Sequence, residues 1–324
     1  MGFIEIKSIL GRSDYNMNME NQHGFKSGFV AIVGRPNVGK STLLNAILGQ
    51  KIAAVSPRPQ TTRRQQLGIL TLDDAQIIFT DTPGVHHAKH KLGNYMNEEA
   101  AIALEDSDVI VFIVDGSVKP DPEDELLANL LREIGGKVPT ILGMNKMDIL
   151  GDEDKNNFFN LYQSLVPQAK ILLISATQHQ GLDNLVSEIL SQLPEHPPFY
   201  PPDQITDLYE KEIAADLIRE AALNILRDEV PHSIAVRIDE FRERENGNAY
   251  IEATLFVERD SQKGIVIGSK GKMIKKLGIE ARKLIEEMSG RRVYLRLRAK
   301  VRKNWRNDEN SLRLFGFQGK GKGI

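Results

Sequence analysis

Cysteine is absent from the 324 residues, tryptophan occurs once, and no apolar run is longer than the six residues Val109–Val114. Each absence excludes something. Without cysteine there are no disulfides, no thiolate zinc sites and no thiol nucleophile, which fits a reducing cytosol. A six-residue apolar run is far too short to span a bilayer. The first residues hold neither the apolar core nor the small-residue cleavage site of a secretory leader, so a cytoplasmic location is expected. What is present is ordinary for a globular chain, 41% hydrophobic and 27% charged, and its length suits two domains with a core each.

The net charge of −2 conceals an asymmetry. Residues 1–202 carry 17 Lys and Arg against 24 Asp and Glu, whereas residues 203–324 carry 25 against 20. Between Arg259 and Arg306 there are 16 basic and 4 acidic residues. A charge run is commonly a solvated face, but this density in one segment favours a polyanionic partner. By itself it does not separate RNA from an anionic lipid surface.

The most informative stretch is Gly34-Arg35-Pro36-Asn37-Val38-Gly39-Lys40-Ser41-Thr42, a complete G-x-x-x-x-G-K-[ST] phosphate loop. Phe29–Val33 before it reads as a buried strand, and Leu43, Leu44, Ala46, Ile47 and Leu48 after it sit at helical spacing up to Gly49. Glycines let the backbone wrap a polyphosphate, so that successive N–H groups and a helix N-terminus face the anion. In such a loop Lys40 reaches the β- and γ-phosphates and the Ser41 hydroxyl ligates Mg²⁺.

Strands and helices then alternate. Gln66–Leu72 and Gln76–Thr80 read as a strand pair turned at Asp73-Asp74. Gly93–Leu104 reads as a helix, Val109–Val114 as a strand and Pro122–Ile134 as a helix. Val138–Met144 and Ile171–Ile174 are further strands, and Leu182–Leu193 is a closing helix. This alternation predicts an α/β fold with a doubly wound, mainly parallel sheet. Five prolines in Pro194–Pro202 then read as a semi-rigid spacer. Beyond it come a long helix over Ile205–Arg227, a hairpin of Ile234–Phe241 and Tyr250–Val257 turned near Asn246-Gly247, helices to Met288, and a strand Arg292–Leu297. That order predicts a smaller α+β domain. The expected division is an N-terminal extension without order over 1–27, a nucleotide domain over 28–193, a linker over 194–204, a second domain over 205–306 and a basic tail over 307–324.

Asp81-Thr82-Pro83-Gly84 lies at a strand end 41 residues after Lys40. There a carboxylate can hold Mg²⁺ and the Gly84 N–H can sense the γ-phosphate. Asn145-Lys146-Met147-Asp148 chooses the base. An ionised Asp accepts hydrogen bonds only, and guanine offers it N1–H and the 2-amino group, both lacking in adenine. Ser175-Ala176, also after a strand, fits a loop whose backbone N–H meets the guanine O6. In the polar segment before the second strand, Thr61 and Thr62 are both candidates to complete the Mg²⁺ shell, and Thr62 is preferred.

In the basic segment, Gly268-Ser269-Lys270-Gly271 is a G-x-x-G between two helices, followed by Lys272 and Lys275. A bare G-x-x-G says little. After a hairpin and among cations it matches the KH clamp for single-stranded RNA, with the glycines admitting the nucleic-acid backbone. Trp305 is expected to pack within its domain rather than to stack on a base.

With these residues in place, the chain resembles the Era family of bacterial GTPases of small-subunit ribosome assembly over about residues 28–318. The resemblance is carried by Gly34–Thr42, Gln60–Arg63, Asp81–Gly84, Asn145–Asp148 and Ser175-Ala176, and by Val266–Ile274 and Asn304–Arg306. It implies a Ras-like domain joined to a type II KH domain. It also implies GTP and GDP as ligands with Mg²⁺, and binding near the 3′ end of 16S rRNA in the 30S subunit. Peripheral association with the inner face of the cell membrane is implied as well. A monomer is expected. Asn37 sits where several such GTPases ligate a potassium ion, and the position after the D-x-x-G glycine, a glutamine in Ras-like enzymes, is Val85. Lys40, Thr62, Gly84 and Asn37 are therefore the expected catalytic set. The alternative is an RNA-binding module whose guanine-nucleotide site mainly stabilises the fold. Two RNA-modifying relatives are excluded, one because it needs a C-terminal cysteine and the other because it needs a second phosphate loop.

Overall fold

Lys26–Val33 (β1), Gln66–Thr71 (β2), Ala75–Asp81 (β3), Val109–Asp115 (β4), Thr140–Asn145 (β5) and Lys170–Leu173 (β6) form one sheet ordered β2–β3–β1–β4–β5–β6. In this computed structural model, which describes residues 24–56, 58, 61–86, 88–133, 136–244 and 247–317, β2 is antiparallel to β3 and the other pairs are parallel. β1, with β3 on one side and β4 on the other, is where the strand order reverses. The loop after it therefore sits at the crevice such sheets offer to ligands. Helices Lys40–Leu48 (α1), Lys91–Glu105 (α2), Pro122–Glu133 (α3), Asp152–Leu165 (α4) and Leu182–Gln192 (α5) complete the alternation. The sequence reading missed α4. Its first turn is wholly polar, and the apolar spacing appears only at Phe158, Tyr162 and Leu165, with Tyr162 fully buried.

Contacts divide the chain into two compact units. The first holds the described residues up to Gln50, Gln65–His86 and Glu99–Asp207; the second holds Lys51–Arg64, His87–Glu98 and the residues from Leu208 onward. This division departs from the expected boundaries in three places, each for a definite reason.

The first departure is the proline segment, which belongs to the first unit. Gln76, fully buried, accepts from the backbone N–H groups of Phe199 and Tyr200 (2.8 and 3.0 Å) and donates to the Tyr200 carbonyl (2.9 Å). Ser27 Oγ donates to the Pro197 carbonyl at 2.7 Å, and Ile69 N–H to the Ile205 carbonyl at 2.9 Å. Prolines cannot donate, but the residues between them can. For the same reason the helix expected from Ile205 starts later, as Glu210–Ile225 (α6), with Glu212 accepting from the Tyr209 N–H at 3.1 Å.

The second departure concerns residues 51–64 and 88–98, both expected in the nucleotide domain. Glu220 on α6, 4% exposed, accepts from Lys51 Nζ (2.8 Å) and the Val55 N–H (3.0 Å). Arg63 is buried and donates to the carbonyls of Ile234 (2.8 Å) and His232 (2.9 Å), and Arg219 donates to the Thr61 carbonyl. Leu92 and Met96 are buried among Ala235, Phe256, Trp305, Leu312, Phe315 and Phe317. α2 is thus shared between the two units.

The rest of the second unit is Ala235–Glu243 (β7), Ala249–Val257 (β8) and Val293–Val301 (β9), ordered β7–β8–β9, with Asp260–Ile267 (α7) and Lys272–Ser289 (α8). β7 and β8 form the antiparallel hairpin, and β9 lies parallel to β8. One apolar core joins α6, α8 and the sheet through Leu217, Ala221, Ile251, Ala253, Leu277 and Ile285. The third departure is the tail. Glu309–Leu314 (α9) is a helix capped by Asp308, whose side chain accepts from the Ser311 N–H at 2.8 Å. Leu312, Phe315 and Phe317 are buried, while the tail beyond residue 317 lies outside the described residues, as does the extension up to residue 23.

Trp305 is fully buried, donates Nε1–H to the Ser233 carbonyl at 2.7 Å and meets Phe315 edge-on at 5.2 Å. Trp305→Ala should therefore destabilise the second unit by about 3–5 kcal/mol. Chemical denaturation followed by circular dichroism measures this, and an unchanged midpoint would contradict a packing role.

Candidate nucleotide site

Between β1 and α1 the backbone is pressed against its neighbours by the absence of side chains. A Cβ on Gly34 would lie 2.4 Å from the Ile113 carbonyl oxygen, and one on Gly84 would lie 2.7 Å from Pro36 N. Gly39 has φ +101°, and a Cβ there would meet Asn145 Nδ2 at 2.3 Å. Asn37 also takes a positive φ, 65°. The result is a tight arch closed on β4, on Asp81–Gly84 and on the end of β5.

Lys40 is buried inside this arch, with Nζ donating to the carbonyls of Gly34 (2.9 Å) and Arg35 (3.0 Å). Burial lowers its ammonium to about 8, against the pull of Asp81. A buried cation that finds only backbone carbonyls is suited to an anion. Ser41 Oγ donates to Asp81 Oδ2 at 2.8 Å, and the buried Thr82 hydroxyl anchors its strand end on the Ile32 carbonyl at 2.8 Å. Two hard oxygens in contact beside a phosphate cradle are donors of the kind that hold Mg²⁺ together with phosphate oxygens. Among the described residues no cluster of three or more His, Asp or Glu side chains could hold a metal alone.

At the other end of the crevice Asn145 is the junction. Its Nδ2 donates to the Val38 carbonyl (2.8 Å) and its Oδ1 accepts from the Ala176 N–H (3.0 Å). Within the loop expected to offer a backbone N–H to a base oxygen, the Ala176 N–H is therefore directed at Asn145. Ser175 Oγ donates to Asp148 Oδ1 at 2.6 Å, which orients the exposed carboxylate. Lys146, with φ 66°, pairs with Asp115 Oδ2 at 2.6 Å. Burial would raise the Asp115 carboxyl, but the hydrogen bonds from Lys146 and Ser117 hold it below its ordinary value. Asp115 was not singled out in the sequence. Its signal was the same as that of Asp81, a carboxylate closing an apolar strand.

The first unit thus brings together Gly34–Thr42, Asp81–Gly84, Asn145–Asp148 and Ser175-Ala176. Thr61 and Thr62 belong to the second unit, where Thr61 Oγ1 donates to the Arg58 carbonyl at 2.9 Å. The expected water-orienting position is filled by Val85, which is 2% exposed and part of the core.

The second unit carries the other predicted site. α7 ends at Gly268, where a Cβ would collide with Met273 Cβ at 2.6 Å. Lys270 and Gly271 take φ 51° and 74° before α8 begins. Ser269, Lys270, Lys272 and Lys275 are exposed on this turn and the helix after it. Trp305 is buried elsewhere in the unit and is not available to stack on a base.

Comparison with known proteins supplies the family. Residues 29–146 match a family model described as "50S ribosome-binding GTPase", and residues 229–306 match the KH domain. GTPase Era of Halothermothrix orenii is 46% identical over 295 residues, covering 91% of this chain and 99% of its own. GTPase Era of Carboxydothermus hydrogenoformans is 45% identical, covering 90% and 98%. Among solved structures, Era in complex with MgGDPNP and nucleotides 1506–1542 of 16S ribosomal RNA aligns with TM-score 0.85 and 41% identity, covering 90% of this chain and 99% of its own. An Aquifex aeolicus Era variant bound to GDP·AlF4⁻ aligns with the same score, identity and coverage. Nearly full-length identity at this level, with both domain families in the same order, settles the question of kinship: the chain belongs to the Era family of GTPases.

Proposed function

We propose that the chain couples GTP hydrolysis to binding of 16S rRNA near its 3′ end, in assembly of the 30S subunit. The observation that carries the nucleotide half is the Ser175–Asp148 hydrogen bond. It orients a carboxylate acceptor, which in this reading would meet the two donors that guanine presents and adenine lacks. The RNA half rests on the exposed lysines of the Gly268–Gly271 turn and the helix after it, and on a relative of 41% identity whose structure holds this segment of 16S RNA.

In this reading Lys40 leaves the Gly34 and Arg35 carbonyls for the β- and γ-phosphates, where its charge is fully offset. The backbone N–H groups of Asn37 to Thr42 and of Gly84 cradle the phosphate oxygens. Ser41 and Asp81 would hold Mg²⁺, with Thr62 joining them in the triphosphate state. Held by these residues, the ion would supply positive charge against the phosphates. Water attacks the γ-phosphorus as the bond to the β-phosphate oxygen breaks. Val85 offers no hydrogen bond to orient that water, so intrinsic turnover is slow. Residues 51–64 are held by Glu220, Arg219 and the carbonyls of residues 232 and 234. Peripheral attachment to the inner membrane face would use the same basic segment; among the described residues no helix is long and apolar enough to cross a membrane.

Four outcomes are expected. Asp148→Asn should weaken GTP about 10²- to 10⁴-fold and admit xanthosine nucleotides, whose C2 oxygen suits an amide donor. Nucleotide competition measures this, and ATP displacing GDP as well as GTP does would end the guanine reading. Hydrolysis should run faster in K⁺ than in Na⁺, with the difference lost in Asn37→Ala; equal rates in both salts would dismiss the ion. RNA should bind more tightly with a GTP analogue than with GDP, by about 5- to 150-fold, and by linkage RNA must favour the analogue by the same factor. Replacing Gly268 and Gly271 by Asp should abolish RNA binding while GTP binding persists. Identical RNA affinity in the two nucleotide states, by titration, would leave two independent modules.

A further inference from the structure

Arg35, the second residue of the phosphate loop, turns its side chain away from the arch. Its Nε donates to Asp124 Oδ2 at 3.1 Å, with the Arg35 side chain 17% exposed and that of Asp124 0%. The same carboxylate oxygen accepts the Asp121 N–H at 2.9 Å, which fixes the start of α3. Asp124 Oδ1 is also buried and, among the described residues, accepts no hydrogen bond from a protein donor. Helix stability does not call for this arrangement. A carboxylate in the first turn of a helix is stabilising at the surface as well, and burying it with one oxygen unsatisfied is costly. The cost makes sense where the ion pair fixes the position of something else.

What it fixes is the start of the arch. Residues 34–36 are held by backbone contacts on two sides, the Ile113 carbonyl against Gly34 and Gly84 against Pro36. Arg35–Asp124 is a side-chain anchor from a third direction. The Arg35 carbonyl is one of the two that receive Lys40 Nζ, so a shift at Arg35 moves the partner of the phosphate-binding ammonium. The anchor also extends to the base end. The Arg35 guanidinium interacts with Tyr162 on α4. Tyr162 donates its hydroxyl to the Asp115 carbonyl at 3.0 Å, and the Asp115 side chain pairs with Lys146. α3 and α4 thus tie the phosphate loop to the base motif through a partly buried polar chain.

We propose that Asp124 is a positioning residue for nucleotide binding, holding the phosphate loop in register through Arg35 so that its N–H groups and Lys40 meet the phosphates. Donors displaced from the phosphates lose the distance and angle on which their hydrogen bonds depend, so the anchor acts on affinity and not only on folding. The inference rests on the reading of Gly34–Thr42 as the phosphate site.

The test is the dissociation constant for GDP with Mg²⁺, measured on the full chain at 10 °C, alongside melting of each variant. Asp124→Asn and Arg35→Gln should each weaken GDP about tenfold, a difference of about 1.4 kcal/mol. The double variant should be no weaker than the worse single one, because both remove the same anchor. Should Asp124→Asn not fold, Arg35→Met with Asp124→Leu leaves no buried charge behind and commonly preserves folding; it too should show the tenfold loss. Wild-type GDP affinity in folded variants, with only the melting temperature lowered, would overturn the proposal and leave Asp124 a helix-packing residue. Additive losses would also overturn it. Lys40→Ala tests the underlying reading separately. If that variant retains GDP affinity the phosphate-loop reading fails; if it loses affinity while the Arg35 and Asp124 variants do not, only the anchor falls.

Discussion

The nucleotide site depends on one side-chain amide. Asn145 donates to the Val38 carbonyl of the phosphate loop, accepts from the Ala176 N–H, and lies where any side chain on residue 39 would have to be. A side-chain amide donates from its NH₂ and accepts at its oxygen, so one group serves two partners on different sides. A carboxylate in its place could not donate to Val38, and a leucine would leave a buried carbonyl and a buried N–H without partners. The three loops that converge here come from the ends of three different strands. They form one site because one residue satisfies all of them, and Gly39 is glycine because Asn145 needs its space.

Much of this was legible in the sequence, because phosphate recognition is local. A glycine pattern, a lysine and a hydroxyl within nine residues dictate one backbone shape, and Asp81 and Asp148 each follow a strand that apolar runs make plain. What could not be read was whatever depends on distant partners. Asp124 looks like any acidic residue in the first turn of a helix, and only the fold brings it to Arg35. Residues 51–64 read as a polar loop of the nucleotide domain. Nothing in their own pattern shows that Glu220, far along the chain, receives both Lys51 and the Val55 N–H. The tail was read by its lysines and arginines, which drew attention from Leu312, Phe315 and Phe317. α4 was lost for a related reason, since its polar first turn hid the apolar face that follows.

The two units solve the problem of gripping a phosphate chain differently. In the first, the loop is enclosed and its lysine buried, so in the proposed reading affinity would come from low dielectric and many aligned donors. In the second, Gly268 leaves room for Met273 and Lys270 bends back under a positive φ, but the lysines stay in water. An open clamp of that kind is weaker per contact and more sensitive to salt. It suits a long polymer that must be released, whereas the closed arch suits a small ligand that must be held during a reaction.

The fastening of the chain just after the proline segment has a consequence of another kind. β2 is the outermost strand of the large sheet on its side. Its outward N–H groups at Leu67 and Ile69 are taken by the Asp207 side chain and the Ile205 carbonyl. An uncovered edge of this sort is a template on which a second copy can add a strand, the first step toward insoluble aggregates. The opposite border is β6, only four residues long. The stretch just after the proline spacer, read in the sequence as the start of a helix, thus serves as a guard on the exposed border of the sheet.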